Sequence, residues 1–291
     1  MIKNKLKQNA KNVDDFLKKI LKKERDTNLL KVMKYGTLSG GKKIRSSIII
    51  FTGKLFNLSK KKMLNICAAV ECIHSYSLMH DDLPCMDNDR IRRGKPSAHI
   101  RYGEADAVLA GSSLLTLAFE MIASKNYSIS NTSKLELIKE LANCSGHTGI
   151  AGGQQLDLSF ENKKKSLKQI IDMQKKKTGK LFNFCCFAAG VVANKNKKEK
   201  KVLSHIGEDI GLLFQLTDDF LDIKGSKKLV GKPLKKDTKK GKSTLINLIG
   251  YKNAYNYANI QKNKILIKLK KYGNKARDLK DTIKFILERK F

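Results

Sequence analysis

Leu64-Asn-Ile-Cys-Ala-Ala-Val-Glu-Cys-Ile-His-Ser-Tyr-Ser-Leu-Met-His-Asp81-Asp82 is an apolar run that ends in two carboxylates. Leu64 to Met79 carries almost no charge, which predicts a helix buried on most sides and stopping near Pro84. A second run of the same kind, Ile206 to Ile223, contains Asp218-Asp219-Phe-Leu-Asp222. Outward from these two, the hydrophobic period stays helical. Ile2, Leu6, Ala10, Val13, Leu17 and Leu21 mark an amphipathic first helix. Ile44–Phe56, Ala105–Ala123, Leu135–Cys144 and Leu167–Ala193 predict further helices, and the last segment to Phe291 alternates Lys with Leu and Ile at helical spacing. Ala110, Gly111 and Ser112 are small enough to let one of these helices pack closely. Gly146–Gly153 reads as a glycine-rich joint, and Lys224–Ser243 as a charged loop. With 3 prolines, no sustained period-two alternation and no βαβ pattern, the chain is expected to be all-α. No linker divides residues 1–291, so one helical domain is expected.

The formal charge of +33 comes mainly from lysine runs such as Lys60–Lys62, Lys163–Lys165 and Lys197–Lys201. Lys, Asn and Ile are residues that an AT-rich genome over-supplies, so these runs read first as solvated faces. Attraction to nucleic acid or an anionic membrane is the sharper alternative. No aromatic-interleaved basic strand or zinc-finger spacing supports a nucleic-acid partner. The 6 cysteines (Cys67, Cys72, Cys85, Cys144, Cys185 and Cys186) form no CxxC pair and read as buried, reduced thiols of a cytoplasmic protein. The Lys-rich start lacks the apolar core of a signal peptide. No uncharged stretch is long enough to span a bilayer, so no transmembrane segment is expected.

Chemistry is concentrated in Asp81-Asp82-Leu-Pro-Cys-Met-Asp87 and in Asp218-Asp219-Phe-Leu-Asp222. Residues three and four apart share a helix face, so Gln215, Asp218, Asp219 and Asp222 form one polar stripe. His74 and Asp81 lie two turns apart on one face. Carboxylates at this density on apolar helices need a cation, and hard oxygen donors suit Mg²⁺. Basic residues sit in glycine-containing turns: Gly40-Gly41-Lys42-Lys43-Ile44-Arg45, Arg92-Arg93-Gly94-Lys95, Lys177-Thr178-Gly179, Gly231-Lys232 and Gly241-Lys242-Ser243. Arg forks and Lys point charges bind phosphate oxygens. Gly36-Thr-Leu-Ser-Gly40-Gly41-Lys42 approaches a P-loop, but Lys43 stands where the motif needs Ser or Thr and no strand precedes it.

The string from Glu71 to Asp87 resembles the first aspartate-rich motif of bacterial farnesyl diphosphate synthases, and Phe214–Asp222 resembles their second. Gly40-Gly41-Lys42 with Arg45, Gly152-Gly153-Gln154-Gln155-Leu-Asp157, Lys177-Thr178-Gly179 and Gly241-Lys242-Ser243-Thr244 match further blocks in the same order. The resemblance covers nearly the whole chain. It implies a bundle of antiparallel helices around a central cavity, as a homodimer. It implies that Asp81, Asp82, Asp87, Asp218 and Asp222 hold magnesium. Lys42, Arg45, His74 and Arg93 look like the isopentenyl diphosphate site. Arg92, Lys177, Thr178, Gln215 and Lys232 look like contacts to the allylic diphosphate (dimethylallyl or geranyl), with Lys242 a further substrate contact. The family has Arg at position 43 and Pro at 46, where this chain has Lys43 and Ser46.

The implied chemistry is ionisation of an allylic C–O bond, attack by the double bond of isopentenyl diphosphate, and loss of a proton. Asp81, Asp82, Asp87, Lys177, Asp218 and Lys232 would carry it. A terpene cyclase would not need a second diphosphate site, and Arg45 with His74 argues against it. A non-catalytic partner subunit would not need intact aspartates, nor would a basic binding protein need acidic stripes on buried helices. Product length turns on Tyr76, about 7.5 Å back along the helix from Asp81, with the small Ser77 beside it. By geometry alone Tyr76 reads first as a core aromatic. In the family an aromatic here goes with a fifteen-carbon product, which implies farnesyl diphosphate.

Overall fold

Apolar runs become helices throughout the computed structural model, which describes residues 1–23, 26–224 and 244–288. In chain order they are α1 (Ile2–Lys23), α2 (Asn28–Leu38), α3 (Ile44–Lys54), α4 (Lys60–Asp81), α5 (Ala98–Tyr102), α6 (Glu104–Ala123), α7 (Asn131–Ser145), α8 (Ile150–Ser159), α9 (Leu167–Gln174), α10 (Lys180–Val192), α11 (Lys197–Lys224), α12 (Leu245–Ile249), α13 (Tyr251–Lys268) and α14 (Arg277–Glu288). A two-residue antiparallel pair, β1 (Ile91–Arg92) with β2 (Lys95–Pro96), follows the first aspartate motif. Polar side chains set several of the starts. Thr27, Ser59, Ser130 and Thr244 each accept a backbone N–H in the first turn, and Ser166 with Gln169 closes a capping box.

The two runs that predicted the fold lie in its centre. Ile66, Cys67, Ala68, Ala69, Val70, Cys72 and Ile73 of α4 are fully buried, as are Ile206, Ile210, Leu213 and Leu216 of α11. Helix α4 packs on α6, α10 packs on α11, and α3 lies between the two pairs. Close approach at the α10–α11 seam needs glycine. A Cβ at Gly207 would lie 2.2 Å from the Phe182 carbonyl oxygen, and one at Gly211 would lie 2.6 Å from the Gly179 Cα.

Several sequence expectations change. Gly146–Gly153 is not simply a joint: Gly152 and Gly153 lie inside α8. Gly153 is there to permit contact, since a Cβ would fall 2.2 Å from the Lys177 nitrogen. Leu167–Ala193 is not one α-helix, because Lys175–Gly179 forms a π-turn in which the Lys180 N–H donates to the Lys175 carbonyl. Helix α11 begins nine residues before Ile206, at Lys197, where the Asn196 side chain accepts the Glu199 N–H. The C-terminal segment breaks at Gly273, with φ of 56°. Cys85 is exposed, because it sits in the polar turn after α4 rather than in an apolar run, while the other five cysteines are buried.

Helix α6, 20 residues long, is long and apolar enough to cross a membrane by length and composition, a property that counting only uncharged stretches misses. Its Ala107, Ala110, Leu114, Ala118 and Ile122 are buried, whereas Val108 and Leu109 on the outer side are 40% and 55% exposed.

The α10–α11 seam gives a direct test. Gly207→Ala is expected to destabilise the protein by about 1–3 kcal/mol, because backbone rather than a flexible side chain must give way. Chemical denaturation compared with the unsubstituted protein measures it, and unchanged stability would contradict the packing.

Candidate active site

The first acidic motif is held by its own chain. Helix α4 ends at Asp81, and Asp82 caps it by donating its N–H to the Leu78 carbonyl. The Asp87 N–H donates to the Asp81 carbonyl at 2.8 Å, and the Asp89 N–H to that of Asp82 at 3.0 Å. This fold-back brings Asp82, Asp87 and Asp89 under cover. Arg92, on β1, forks onto both Asp82 oxygens and also reaches Asp89 at 3.3 Å. Although burial opposes it, that pairing holds the Arg92 pKa above its ordinary value. Burial pushes the Asp81 carboxyl up to about 6, with Asp87 and Asp82 adding to the rise while Lys177 and Arg92 oppose it.

The facing wall is the π-turn and α11. Lys177 reaches Asp157 of α8 at 2.6 Å. The Thr178 hydroxyl donates to Gln215 Oε1 at 2.8 Å, and Gln215 Nε2 donates to Asp219 at 2.8 Å. Gln174 donates to the other Asp219 oxygen at 3.0 Å. Asp219 is therefore oriented by two amides. Asp222 is buried, and Asp218, one turn earlier on the same stripe, is half-buried. Lys177 lowers the Asp81 pKa and Asp218 raises that of Arg45, so charges on the two walls act on one another.

Beside the acids lies a basic pocket. Arg45 donates to His74 Nε2 at 3.3 Å, and its guanidinium lies 4.7 Å from the Phe182 ring centre and 5.6 Å from that of Phe214. Burial lowers the Arg45 pKa, and Glu71 is the main opposing charge. Burial also pushes His74 well below the usual imidazole range, reinforced by Arg45, Arg93, Lys43 and Arg92. His74 is thus neutral at pH 7, able to donate or accept a hydrogen bond without adding charge. Arg93 holds the glycine turn by donating to the Gly40 carbonyl at 2.6 Å, and Lys42 is exposed on that turn. A Cβ on Gly41, whose φ is +108°, would collide with the Arg93 guanidinium.

Asp81, Asp82, Asp87, Arg45, His74, Arg92, Arg93, Lys177, Thr178, Gln215, Asp218 and Asp222 are thus gathered around one region. Lys232 and Lys242 lie outside the described residues, as does nearly all of the expected loop 224–243. Tyr76 is half-buried and meets His80 edge-on, with ring centres 5.1 Å apart; the neighbouring Ser77 hydroxyl donates to the His74 carbonyl. Among the described residues no three His, Cys, Asp or Glu side chains already converge on one point as a metal cage. The donor chemistry still fits magnesium, which takes one or two carboxylates and completes its shell with water and phosphate oxygens. Burial, with Asp87 and Asp82, raises the Asp81 pKa more than Lys177 and Arg92 lower it.

The sequence reading missed the supports. Asp157 and Gln174 are the partners of Lys177 and Asp219, and no spacing rule links them across α8, α9 and α11. It also passed over Lys43, treated only as a departure. Lys43 is buried in the left-handed conformation, and its ammonium reaches the Thr37 carbonyl at 3.1 Å, Asp14 at 3.2 Å and Glu71 at 3.8 Å.

Residues 26–286 match the model of the polyprenyl synthetase family. The chain is 41% identical over 231 residues to a farnesyl diphosphate synthase of Escherichia coli K12, covering 79% of this chain and 77% of that one. The crystal structure of an FPP/GFPP synthase from Zymomonas mobilis superposes with a TM-score of 0.88 at 34% identity, covering 98% of both chains. A geranyltransferase from Helicobacter pylori, complexed with magnesium and isoprenyl diphosphate, gives a TM-score of 0.83 at 30% identity, covering 98% of this chain and 96% of that one. These matches, spread along the same helices that hold the acidic walls and the basic pocket, place the chain in the polyprenyl synthetase family.

Proposed function

We propose that this prenyltransferase makes farnesyl diphosphate, condensing isopentenyl diphosphate with dimethylallyl diphosphate and then with geranyl diphosphate. The observation that carries the reading is the pairing of two acidic walls with a separate basic pocket around Arg45 and His74. One polyprenyl synthase domain, residues 1–291, would hold both substrates.

Asp81, Asp82, Asp87, Asp218 and Asp222 would hold magnesium, which supplies positive charge to the departing diphosphate. Arg92, Lys177, Thr178 and Gln215 bind the allylic diphosphate in this reading, joined by Lys232. The presence of Arg92 on Asp82 and Lys177 on Asp157 means that both cations are already positioned before a phosphate enters. Lys42, Arg45, His74 and Arg93 bind isopentenyl diphosphate, and Lys242 contributes a further cation. The allylic C–O bond breaks, the isopentenyl double bond forms the new C–C bond, and a proton leaves, accepted by the released diphosphate. Buried apolar faces of α4, α10 and α11 exclude water that would capture the carbocation.

The exposed Val108 and Leu109 on α6 give an apolar outer side that suits a second copy of the chain. A homodimer is therefore part of the proposal. Leu109→Glu is expected to yield monomers in sedimentation velocity, and an unaltered sedimentation coefficient would rule that face out.

Asp81→Ala and Asp218→Ala should each lower turnover about a thousandfold at saturating magnesium, with helical circular dichroism unchanged. Arg45→Ala should instead raise the KM for isopentenyl diphosphate about tenfold or more, as expected for a lost charge-assisted contact, with the KM for dimethylallyl diphosphate little altered. Steady-state release of diphosphate measures all three. Near-normal turnover in either aspartate variant, or equal effects on both substrates for Arg45→Ala, would sink the assignment of that residue.

Tyr76 is proposed as the floor of the chain-elongation cavity, with Ser77 leaving room beside it. Its edge-on contact with His80 gives the ring a fixed lateral support. The unsubstituted protein should give a fifteen-carbon product, and Tyr76→Ala a longer one. Chromatography of the dephosphorylated alcohols decides it: a fifteen-carbon product from the variant would refute the floor, and a twenty-carbon product from the unsubstituted protein would refute the farnesyl assignment.

A further inference from the structure

Lys43 holds a backbone conformation that lysine rarely adopts. Its φ of 42° and ψ of 50° lie in the left-handed region, and among the described residues no side chain caps the helix that begins one residue later. Strain of this kind persists only where the surroundings fix it. The buried Lys43 ammonium reaches the Thr37 carbonyl at 3.1 Å, Asp14 at 3.2 Å and Glu71 at 3.8 Å. Ser46, in the first turn of α3, is buried as well, and its hydroxyl donates to the other Glu71 oxygen at 2.7 Å. Glu71 of α4, 2% exposed, therefore grips the start of α3 at two points.

Arg45 lies between those two points. Its own side chain is loosely held. It has a hydrogen bond to His74 at 3.3 Å and two ring faces, while its buried Nε has no hydrogen-bond partner among the described residues. The guanidinium thus takes its place from the backbone that carries it. His74 stands three residues after Glu71, on the same face of α4. One helix face carries both the clamp on α3 and the partner of Arg45. Where the family pattern has proline at 46, no hydroxyl could meet Glu71, so the second grip belongs to this chain.

We propose that Glu71 is a positioning residue for the isopentenyl diphosphate site, holding the Lys43–Ser46 turn so that Arg45 is set against His74 to receive the anion. It acts through Arg45 rather than by touching substrate. The proposal rests on the prenyltransfer reading above and adds to it a carboxylate placed beside a basic pocket. As a charge alone, such a carboxylate repels an incoming diphosphate. Its service to binding is geometric, and the two effects have opposite signs.

Glu71→Gln keeps the shape and removes the charge. Release of diphosphate gives kcat and the KM for each substrate. The KM for isopentenyl diphosphate should rise about tenfold as Arg45 loses its setting, while kcat and the KM for dimethylallyl diphosphate stay within about twofold. Ser46→Ala removes only the hydroxyl grip and should move the same KM in the same direction, by about threefold. Should Glu71→Gln fail to fold, Ser46→Ala decides alone, and an unaltered KM there is the contrary result. A glutamine variant whose KM for isopentenyl diphosphate fell or held would show Glu71 acting as a repelling charge or not at all, and would overturn the proposal. Equal losses for both substrates, or a fall in kcat alone, would mark general damage to the fold and would overturn it too. If the unsubstituted protein released no diphosphate from the two substrates, the prenyltransfer reading itself would fall. An active protein with an unresponsive variant would sink only the role of Glu71.

Discussion

Carboxylates at the C-terminal ends of buried helices are the constraint on which the rest depends. Asp81 and Asp82 stand where the dipole of α4 is already negative, and Asp218 and Asp222 stand in the last turns of α11. Burial makes each charge more costly, and the Asp81 carboxyl responds by rising to about 6. The fold answers with cations brought from elsewhere in the chain, Arg92 from a two-residue strand and Lys177 from a π-turn. It also answers with amides, Gln174 and Gln215, that fix Asp219 without neutralising it. None of these partners would be needed by a bundle held together by apolar packing alone. They mark a region built around buried charge, in which each acid is oriented by a cation or an amide drawn from another element.

Much of this was legible in the sequence because the signals were long or chemically unusual. The apolar runs of α4 and α11 are longer than a strand needs, and they end in acids that a hydrophobic core would not otherwise hold. The glycine turn before Arg45 and the pair Lys177-Thr178 could likewise be found as strings. What could not be read was three-dimensional support. Gly152 and Gly153 look like a helix breaker in one dimension, but in the fold they sit inside α8 and let it touch the backbone of Lys177. The π-turn leaves no compositional trace, since Lys175–Gly179 differs from α-helix only in which carbonyl each N–H finds. Cys85 was grouped with its buried counterparts by residue type, although the turn after Pro84 has no core to place it in.

The large positive charge takes on a more specific meaning once side chains are placed. Most lysines project from helix surfaces, but a few are tied into the architecture. Lys5 and Lys54 converge on Asp278 and fasten α14 to α1 and α3, and Lys268 reaches Asp209 from α13 to α11. Each joins a lysine that reaches solvent to a buried aspartate, so it compensates that carboxylate and fixes which helices meet. Around His74 the basic groups are enclosed, and there burial, reinforced by their charge, pushes the imidazole well below its usual range.

Lys43 and Ser46, the two positions where the glycine-turn block departs from the family pattern, meet on a single side chain. The Ser46 hydroxyl donates to Glu71 at 2.7 Å, and the Lys43 ammonium approaches the other Glu71 oxygen at 3.8 Å while binding Asp14 and the Thr37 carbonyl. A proline at 46 would remove one of these donors, and an arginine at 43 would bring a fork in place of a point charge. Lys43 and Ser46 are therefore coupled through Glu71: removing either donor would leave the buried carboxylate to be satisfied by the other.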